Sequence, residues 1–318
     1  MRVVVALGGN AILRRDQAMT VENQRASIAD ACGPLARVAA AHELVVSHGN
    51  GPQIGLLALQ AAAYDTVSEY LFDVLGASTE GMIGYLIEQE LGNQVGNDRA
   101  VTTLVTRTEV DAADPAFADP TKFVGPAYTD EEAEAASRRF GWITKRDGER
   151  MRRVVASPRP VQILELRPIQ WLLERGVIVV CAGGGGVPTV RSAIPGTPDL
   201  LRGIEAVVDK DLASAVLARD LDADLLLIAT DVEGVYLDWC GDDQRRILRA
   251  HPEALDADLF PAGSMRPKVQ AAVQFATETS GTAVIGSLRD IDGMLDGRAG
   301  TVVSRSVAGL RTEPAATH

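Results

Sequence analysis

The sequence predicts an α/β protein: a three-layer sandwich in which a largely parallel central sheet is covered by helices on both faces, with a small protruding subdomain. Two patterns carry the sandwich and one carries the protrusion. Short apolar runs recur along the chain without polar alternation, as strands buried on both faces require. Between them lie helix-length stretches whose apolar residues fall three and four apart. One segment, residues 112–162, drops both patterns and leaves the sheet.

In chain order, the first strand is "VVVAL" at 3–7, and a helix with Ile28, Ala31, Leu35 and Val38 on one face leads to a second, "LVVS" at 44–47. "VTTLV" at 101–105 precedes the departure. Residues 112–162 carry Asp114, Asp119, the acidic run Asp130–Glu134 and then the basic "RRFGW…KRDGERMRR". Phe117, Phe123, Tyr128, Phe140 and Trp142 give this segment something to pack, so it reads as a folded lid or binding element rather than a linker. The sheet resumes with "VIVVCA" at 177–182, "DLLLIA" at 224–229 and "TAVIG" at 282–286, the last preceded by a helix with Val269, Ala272, Val273 and Ala276 on its inner face. Strand, helix, strand in repetition is the pattern of a sheet covered on both sides. The chain divides into an N-terminal lobe, residues 1–200, which carries the lid, and a C-terminal lobe, residues 201–318.

Composition excludes several function classes. The 318 residues carry a net charge of −12 with only 4% aromatics, so the basic stripe and stacking rings of a nucleic-acid binder are missing. The apolar runs are far shorter than the roughly 18–20 residues that span a bilayer, and no charged-then-apolar leader opens the chain, which points to a cytoplasmic protein away from membranes. Cys32, Cys181 and Cys240 are too widely spaced for a disulfide framework or a thiolate metal site. Four histidines without an H-E-x-x-H give no zinc motif.

Glycines cluster where strands end. "ALGGNA" (6–11) follows the first strand, "SHGNGPQIG" (47–55) the second and "CAGGGGVP" (181–188) a later one. In parallel α/β sheets ligands bind beyond the carboxyl ends of the strands, and glycine lets backbone N–H groups approach an anion. The amides of Gly8, Gly9, Asn10, Gly49, Asn50, Gly51 and Gly183 to Gly186 are therefore candidates to cradle phosphate or carboxylate oxygens. No lysine follows a glycine, so there is no Walker A loop. "GNGPQIG" has one residue too many for the dinucleotide fingerprint, which leaves a Rossmann oxidoreductase as the weaker alternative.

Of 31 basic residues only Lys122, Lys145, Lys210 and Lys268 are lysine. In a chain so biased towards arginine, positions that stay lysine are candidates for a job needing a compact ammonium on a flexible stem, such as following a phosphoryl group. Lys210 lies between Asp209 and Asp211 in "VVDKDLA", at the start of a helix-like segment. Lys268 follows Pro267 in "GSMRPKVQAA", near the positive end of a second helix. Lys122 sits in the excursion, in "DPTKFVG", and would reach the transferred group from above if the excursion folds over the site.

These motifs, in this order, resemble the carbamate kinases of the amino-acid kinase fold. The resemblance runs over nearly the whole chain, through "VVVALGGNAI", "VVSHGNGPQIG", "DPTKFVG", "AGGGGVP", "GIEAVVDKDLAS" and "GSMRPKVQAA". It implies phosphoryl transfer between MgATP and carbamate, giving carbamoyl phosphate and ADP, a reaction often run towards ATP in arginine breakdown. It implies Lys122, Lys210 and Lys268 as the functional lysines, with Asp211 orienting them. The glycine loops, Gly183, Gly184 and Gly185 included, would bind carbamate and the phosphoryl group in the N-terminal lobe; Asp231, Tyr236 and Met265 would line the nucleotide pocket in the C-terminal one. Mg2+ would arrive with the nucleotide, its protein ligands unassigned, and relatives imply a homodimer. Other members of the wider fold carry a lysine before the paired glycines, where this chain has Ala6 and Leu7; Lys122 looks like its replacement. Two departures stand out: Phe123 follows Lys122 where the family usually has proline, and Glu233-Gly234 replaces the usual dipeptide before Val235-Tyr236. Another small-acid kinase of the same fold, or a catalytically inactive nucleotide sensor, are the competing readings.

Overall fold

From the N terminus run β1 (Arg2–Leu7), α1 (Gly9–Ile12), α2 (Val21–Ala41), β2 (Glu43–His48), α3 (Gly51–Ala63), α4 (Phe72–Val95), β3 (Val101–Thr103) and β4 (Arg107–Val110). Next come β5 (Lys122–Tyr128), α5 (Asp130–Phe140), β6 (Thr144–Asp147), β7 (Arg150–Val155), β8 (Pro160–Ile163), α6 (Leu166–Leu173), β9 (Ile178–Val180), β10 (Val187–Ser192) and β11 (Leu200–Gly203). The remainder holds α7 (Lys210–Asp220), β12 (Leu225–Thr230), β13 (Val235–Leu237), β14 (Arg245–Ala250), α8 (Met265–Glu278), β15 (Thr282–Ser287), α9 (Ile291–Leu295), β16 (Thr301–Val303) and β17 (Leu310–Thr312). This computed structural model describes residues 1–14, 17–63, 70–192, 200–261 and 263–314.

The six strands expected from apolar runs form one uninterrupted parallel block, in the order β15-β12-β1-β2-β9-β3. Their side chains show why alternation is missing. Val4, Val45, Val179 and Leu226 pack into one core with Ala215, Leu217, Val269 and Phe275 from α7 and α8. Val3, Val5, Leu44 and Val46 pack into the other with Ile28, Leu35, Ile83 and Ile87 from α2 and α4. Both faces are covered, so the middle of these strands is apolar on either side and alternation is lost. β16 adds antiparallel to β15, and β14 with β13 and β17 completes that edge. β3 ends at Thr103, short of the expected run, and Val105 is exposed.

The departure from the sheet is sharply bounded. β4 and β8 pair antiparallel, with Thr108 opposite Ile163 and Val110 opposite Pro160, so the chain leaves and returns through one neck. Together with β10 and β11 they form a second, four-stranded sheet that the apolar pattern did not predict. Beyond the neck, β5, β7 and β6 form a three-stranded antiparallel sheet, and α5 packs beside it. α5 starts with a reciprocal capping box between Thr129 and Glu132 and stops at Gly141 in the left-handed conformation.

This subdomain lies against α3. A Cβ at Gly55 would collide with Gly125 Cα, so the two backbones touch. Arg153 adds a second attachment, its guanidinium lying 4.7 Å from the Phe72 ring and 4.2 Å from that of Trp142.

Candidate active site

Asp209 caps α7: its Oδ1 accepts from the N–H groups of Asp211 (2.9 Å) and Leu212 (3.3 Å). Capping fixes the first turn, which carries Lys210 and Asp211. Lys210 Nζ lies 2.7 Å from Asp211 Oδ1, and Lys268 Nζ, from the first turn of α8, lies 2.9 Å from Asp211 Oδ2. One buried carboxylate thus holds two ammoniums. Lys122, at the start of β5 in the protruding subdomain, reaches Asp209 Oδ2 at 2.6 Å. Three of the four lysines meet at two carboxylates beside the carboxyl end of β1, where Lys210 Nζ lies 3.5 Å from Ala6 O. The fourth, Lys145, pairs with Asp119 on the surface of the protruding subdomain.

Burial and charge act on these groups in opposite directions. Burial penalises the charge on Asp211, but the ammoniums of Lys210 and Lys268 override it and hold the carboxyl well below the ordinary carboxylate range. Burial lowers the Lys210 ammonium to about 8 despite Asp211, with Lys268 adding repulsion. Lys268 is raised instead: burial opposes its charge, while Asp211, Asp209 and Asp231 together more than compensate.

The glycine loops lie at the same end of the sheet. Gly8, Gly9 and Asn10 follow β1, and Asn10 Nδ2 donates to Asp231 Oδ2 at 2.8 Å, joining the ends of β1 and β12. Gly49, Asn50 and Gly51 link β2 to α3; Asn50 Nδ2 donates to Thr79 Oγ1 at 2.8 Å.

The four-glycine loop differs from expectation. Three of its amides are already used inside the protein: Gly183 N–H donates to Glu80 Oε1 (2.9 Å), Gly185 N–H to Ala182 O (3.1 Å) and Gly186 N–H to Gly183 O (3.0 Å). They are not available to cradle an anion. The glycines serve space and backbone shape instead. Gly184, Gly185 and Gly186 all have positive φ, and a Cβ at Gly185 would stand 2.5 Å from Val208 O. Val208 directly precedes Asp209, so the loop packs against the segment that leads into α7 and its lysine cluster.

Glu80 on α4 is the anchor of that loop. Its Oε1 accepts from Gly183 N–H and from Thr106 Oγ1 (2.6 Å), and its Oε2 from Thr106 N–H (3.1 Å). Burial raises this carboxyl to about 8, and the three donors pull the other way. His48, wholly buried at the end of β2, is lowered to about 4 chiefly by burial, and its ring abuts Gly183. The sequence patterns assign no role to Glu80, His48 or Thr106: Glu80 is one of several polar residues on α4, His48 stands in "SHGNGPQIG" beside the glycines, and Thr106 lies between β3 and β4 with no pattern of its own. Asp209 was visible only as a neighbour of Lys210, although an Asp before a helix is an N-cap signal.

Tyr236 and Met265 lie further out. Tyr236 is on β13 at the sheet edge, where its ring meets Trp239 edge-on at 5.1 Å. Met265 opens α8 three residues before Lys268 and packs on the core.

The sheet with lysines gathered at its strand ends defines a class: residues 1–287 match the profile described as the amino acid kinase family, and the chain belongs to that family. Carbamate kinase from Haemophilus influenzae is 53% identical over 310 residues, covering 98% of this chain and 99% of its own length. The carbamate kinase of Rhizobium meliloti is 52% identical over 98% of this chain and 95% of its own. A solved structure, carbamate kinase from Giardia lamblia bound to AMP-PNP, superposes with a TM-score of 0.85 at 38% identity, covering 95% of this chain and 98% of that one. Within the family, the chain belongs with the carbamate kinases.

Proposed function

We propose that this protein catalyses reversible phosphoryl transfer between ATP and carbamate, giving carbamoyl phosphate and ADP. The observation that carries this reading is the placement of Lys122, Lys210 and Lys268 on Asp209 and Asp211 at one strand end. A carbamate oxygen is already anionic and nucleophilic. It attacks the γ-phosphorus of ATP and the bond to the ADP oxygen breaks, so no general base is required. Positioning and charge neutralisation dominate such a transfer. Lys210 and Lys268 serve the nucleotide phosphates and the transferring oxygens, Asp211 orients both, and Lys122 approaches from the carbamate side. Gly8 to Asn10 and Gly49 to Gly51 bind carbamate and the phosphoryl group; of the third loop, the structural part falls to Gly183 and Gly185, beside Gly184. Residues 1–200 form the substrate side, and residues 201–318, with Asp231, Tyr236 and Met265, the nucleotide side.

ATP use implies a divalent cation, and Mg2+ carried by the nucleotide fits. The described residues gather no group of three or more carboxylate, imidazole or thiol side chains for a metal, so no step is assigned through it. The setting we favour is cytoplasmic arginine breakdown, with the reaction running towards ATP; among the described residues no helix is long and apolar enough to cross a membrane. A second copy of the chain is the partner. α4 buries one face against α2 yet leaves Leu71, Val74, Met82 and Tyr85 exposed around its start and outer side, an apolar stripe suited to its own symmetry mate. Sedimentation at the mass of one chain would remove the dimer.

The test is ATP formation from carbamoyl phosphate and MgADP in a luciferase-coupled assay, with acetyl phosphate alongside. ATP from carbamoyl phosphate is expected. Turnover of acetyl phosphate alone would make this another small-acid kinase, and nucleotide binding without turnover would make it a sensor.

A further inference from the structure

The lid's lysine and the nucleotide-side lysines are joined through one residue. Asp209 uses both carboxylate oxygens: Oδ1 caps α7, and Oδ2 accepts from Lys122 Nζ at 2.6 Å. We infer that Asp209 is a positioning residue, the seat on which the lid sets Lys122 at a fixed distance from Lys210 and Lys268. It touches no reacting atom and acts through Lys122. The inference rests on the reading of Lys122 as the carbamate-side lysine.

Three features favour a seat over a mere structural tie. First, with Oδ1 committed to the cap, the carboxylate cannot swing towards Lys122 without releasing the helix start that carries Lys210 and Asp211. Second, the lid has independent attachments, the contact of Gly125 with Gly55 and the stacking of Arg153 between Phe72 and Trp142. Asp209 is therefore not needed to hold the lid down and governs only the lysine's end. Third, the Lys122 side chain keeps 34% of its exposure against 14% for Asp209. A half-open pair can be exchanged for a more negative partner, and an arriving phosphoryl group is one.

The test is a double-mutant cycle on the full chain with Lys122→Ala, Asp209→Ser and the pair. Serine keeps an N-cap oxygen, so α7 retains its start. Each single change is expected to lower kcat/KM for carbamoyl phosphate roughly three- to thirtyfold, the range for residues in contact. KM for ADP should barely move, and the double variant should be no worse than the poorer single. Losses that multiply, or an equal loss on the ADP side, would overturn the inference. Asp209→Asn serves as a second variant: it can cap but cannot pair with an ammonium, so it should behave as Asp209→Ser does.

A readout independent of turnover separates this inference from the carbamate kinase reading. With only four lysines, acylation of Lys122 by an amine-reactive ester can be followed by mass spectrometry against Lys145 as reference. Asp209→Ser should speed labelling of Lys122 severalfold relative to Lys145. Unchanged labelling removes the seat whether or not the wild type makes ATP; absence of ATP from wild type with faster labelling removes only the assigned reaction.

Discussion

Asp211→Asn takes one negative charge from between two ammoniums while keeping the side chain's shape. In the free protein the carboxylate is buried, with Lys210 at 2.7 Å and Lys268 at 2.9 Å, so its loss leaves two poorly solvated cations. Breaking a buried pair from one side costs about 3–5 kcal/mol of stability. The reaction should lose less, because the nucleotide phosphates bring negative charge to the same two ammoniums. What disappears there is close to one charge-assisted hydrogen bond, about 1.5–3 kcal/mol. At about 1.4 kcal/mol per decade, kcat/KM for ADP should fall roughly 10- to 150-fold. Thermal unfolding should show the converse asymmetry, with a larger loss of Tm in the free variant than in the variant saturated with ADP.

The same substitution has a pH signature. In the proposed role Lys210 neutralises phosphate charge only when protonated, and burial lowers it to about 8 while Asp211 pulls upward. Wild-type kcat/KM, which reports the free enzyme, should therefore fall as pH rises through about 8. Without the carboxylate Lys210 gives up its proton more readily, so in Asp211→Asn the fall should begin at lower pH. The assay is ADP-dependent ATP formation across neutral to alkaline buffers, each rate corrected for folded fraction. A limb that stays put or moves upward, or activity near wild type, would refute the bridging role.

Lys210→Arg should retain little of the wild-type rate, and Lys268→Ala should lower kcat by about 10²–10⁴, the scale of one lost electrostatic contact in the transition state; near-normal turnover in Lys210→Arg would contradict the need for a compact ammonium. Gly185→Ala forces a side chain onto a backbone at φ +94 and to 2.5 Å from Val208 O. It should destabilise by about 1–3 kcal/mol and reduce activity by displacing Asp209, as chemical denaturation beside kinetics would measure. Phe123→Pro should be tolerated, because Val154 N–H donates to Ile143 O on the other flank (2.9 Å), leaving the Phe123–Val154 pair outside the β5–β7 hydrogen bonds. It loses the Arg152 guanidinium over the Phe123 ring but narrows the unbound lid ensemble, so KM for carbamoyl phosphate should fall by up to about fivefold; a rise would show that the ring matters more.

The parallel half of the sheet was legible because burial on both faces writes itself as unbroken apolar sequence, as in Val3, Val4 and Val5. The edge strands were not: β14, "RRILRA", mixes three arginines with three apolar residues and shows neither an unbroken apolar run nor alternation, and β13, β16 and β17 are three residues each. The departure from the sheet announced itself by composition, and the structure bounds it by the pairing of β4 with β8. The lysines were legible through their rarity. Glu80 was not, because one buried acid on a long apolar helix has no periodicity, and its function exists only once Thr106 and Gly183 arrive from elsewhere in the chain. The glycine run shows the limit from the other side. Its position at a strand end was correctly read, but whether its amides face a ligand or Glu80 depends on contacts no local pattern encodes.

Phosphorus NMR on the purified protein with carbamoyl phosphate and MgADP watches the transferred group itself. Signals of ATP should grow as those of carbamoyl phosphate and ADP decline in step, and Lys122→Ala should slow the exchange without abolishing ADP binding. Carbamoyl phosphate decaying at its protein-free rate with ADP unchanged, in a protein shown to be folded, would contradict the assignment of this lysine cluster to phosphoryl transfer with carbamate.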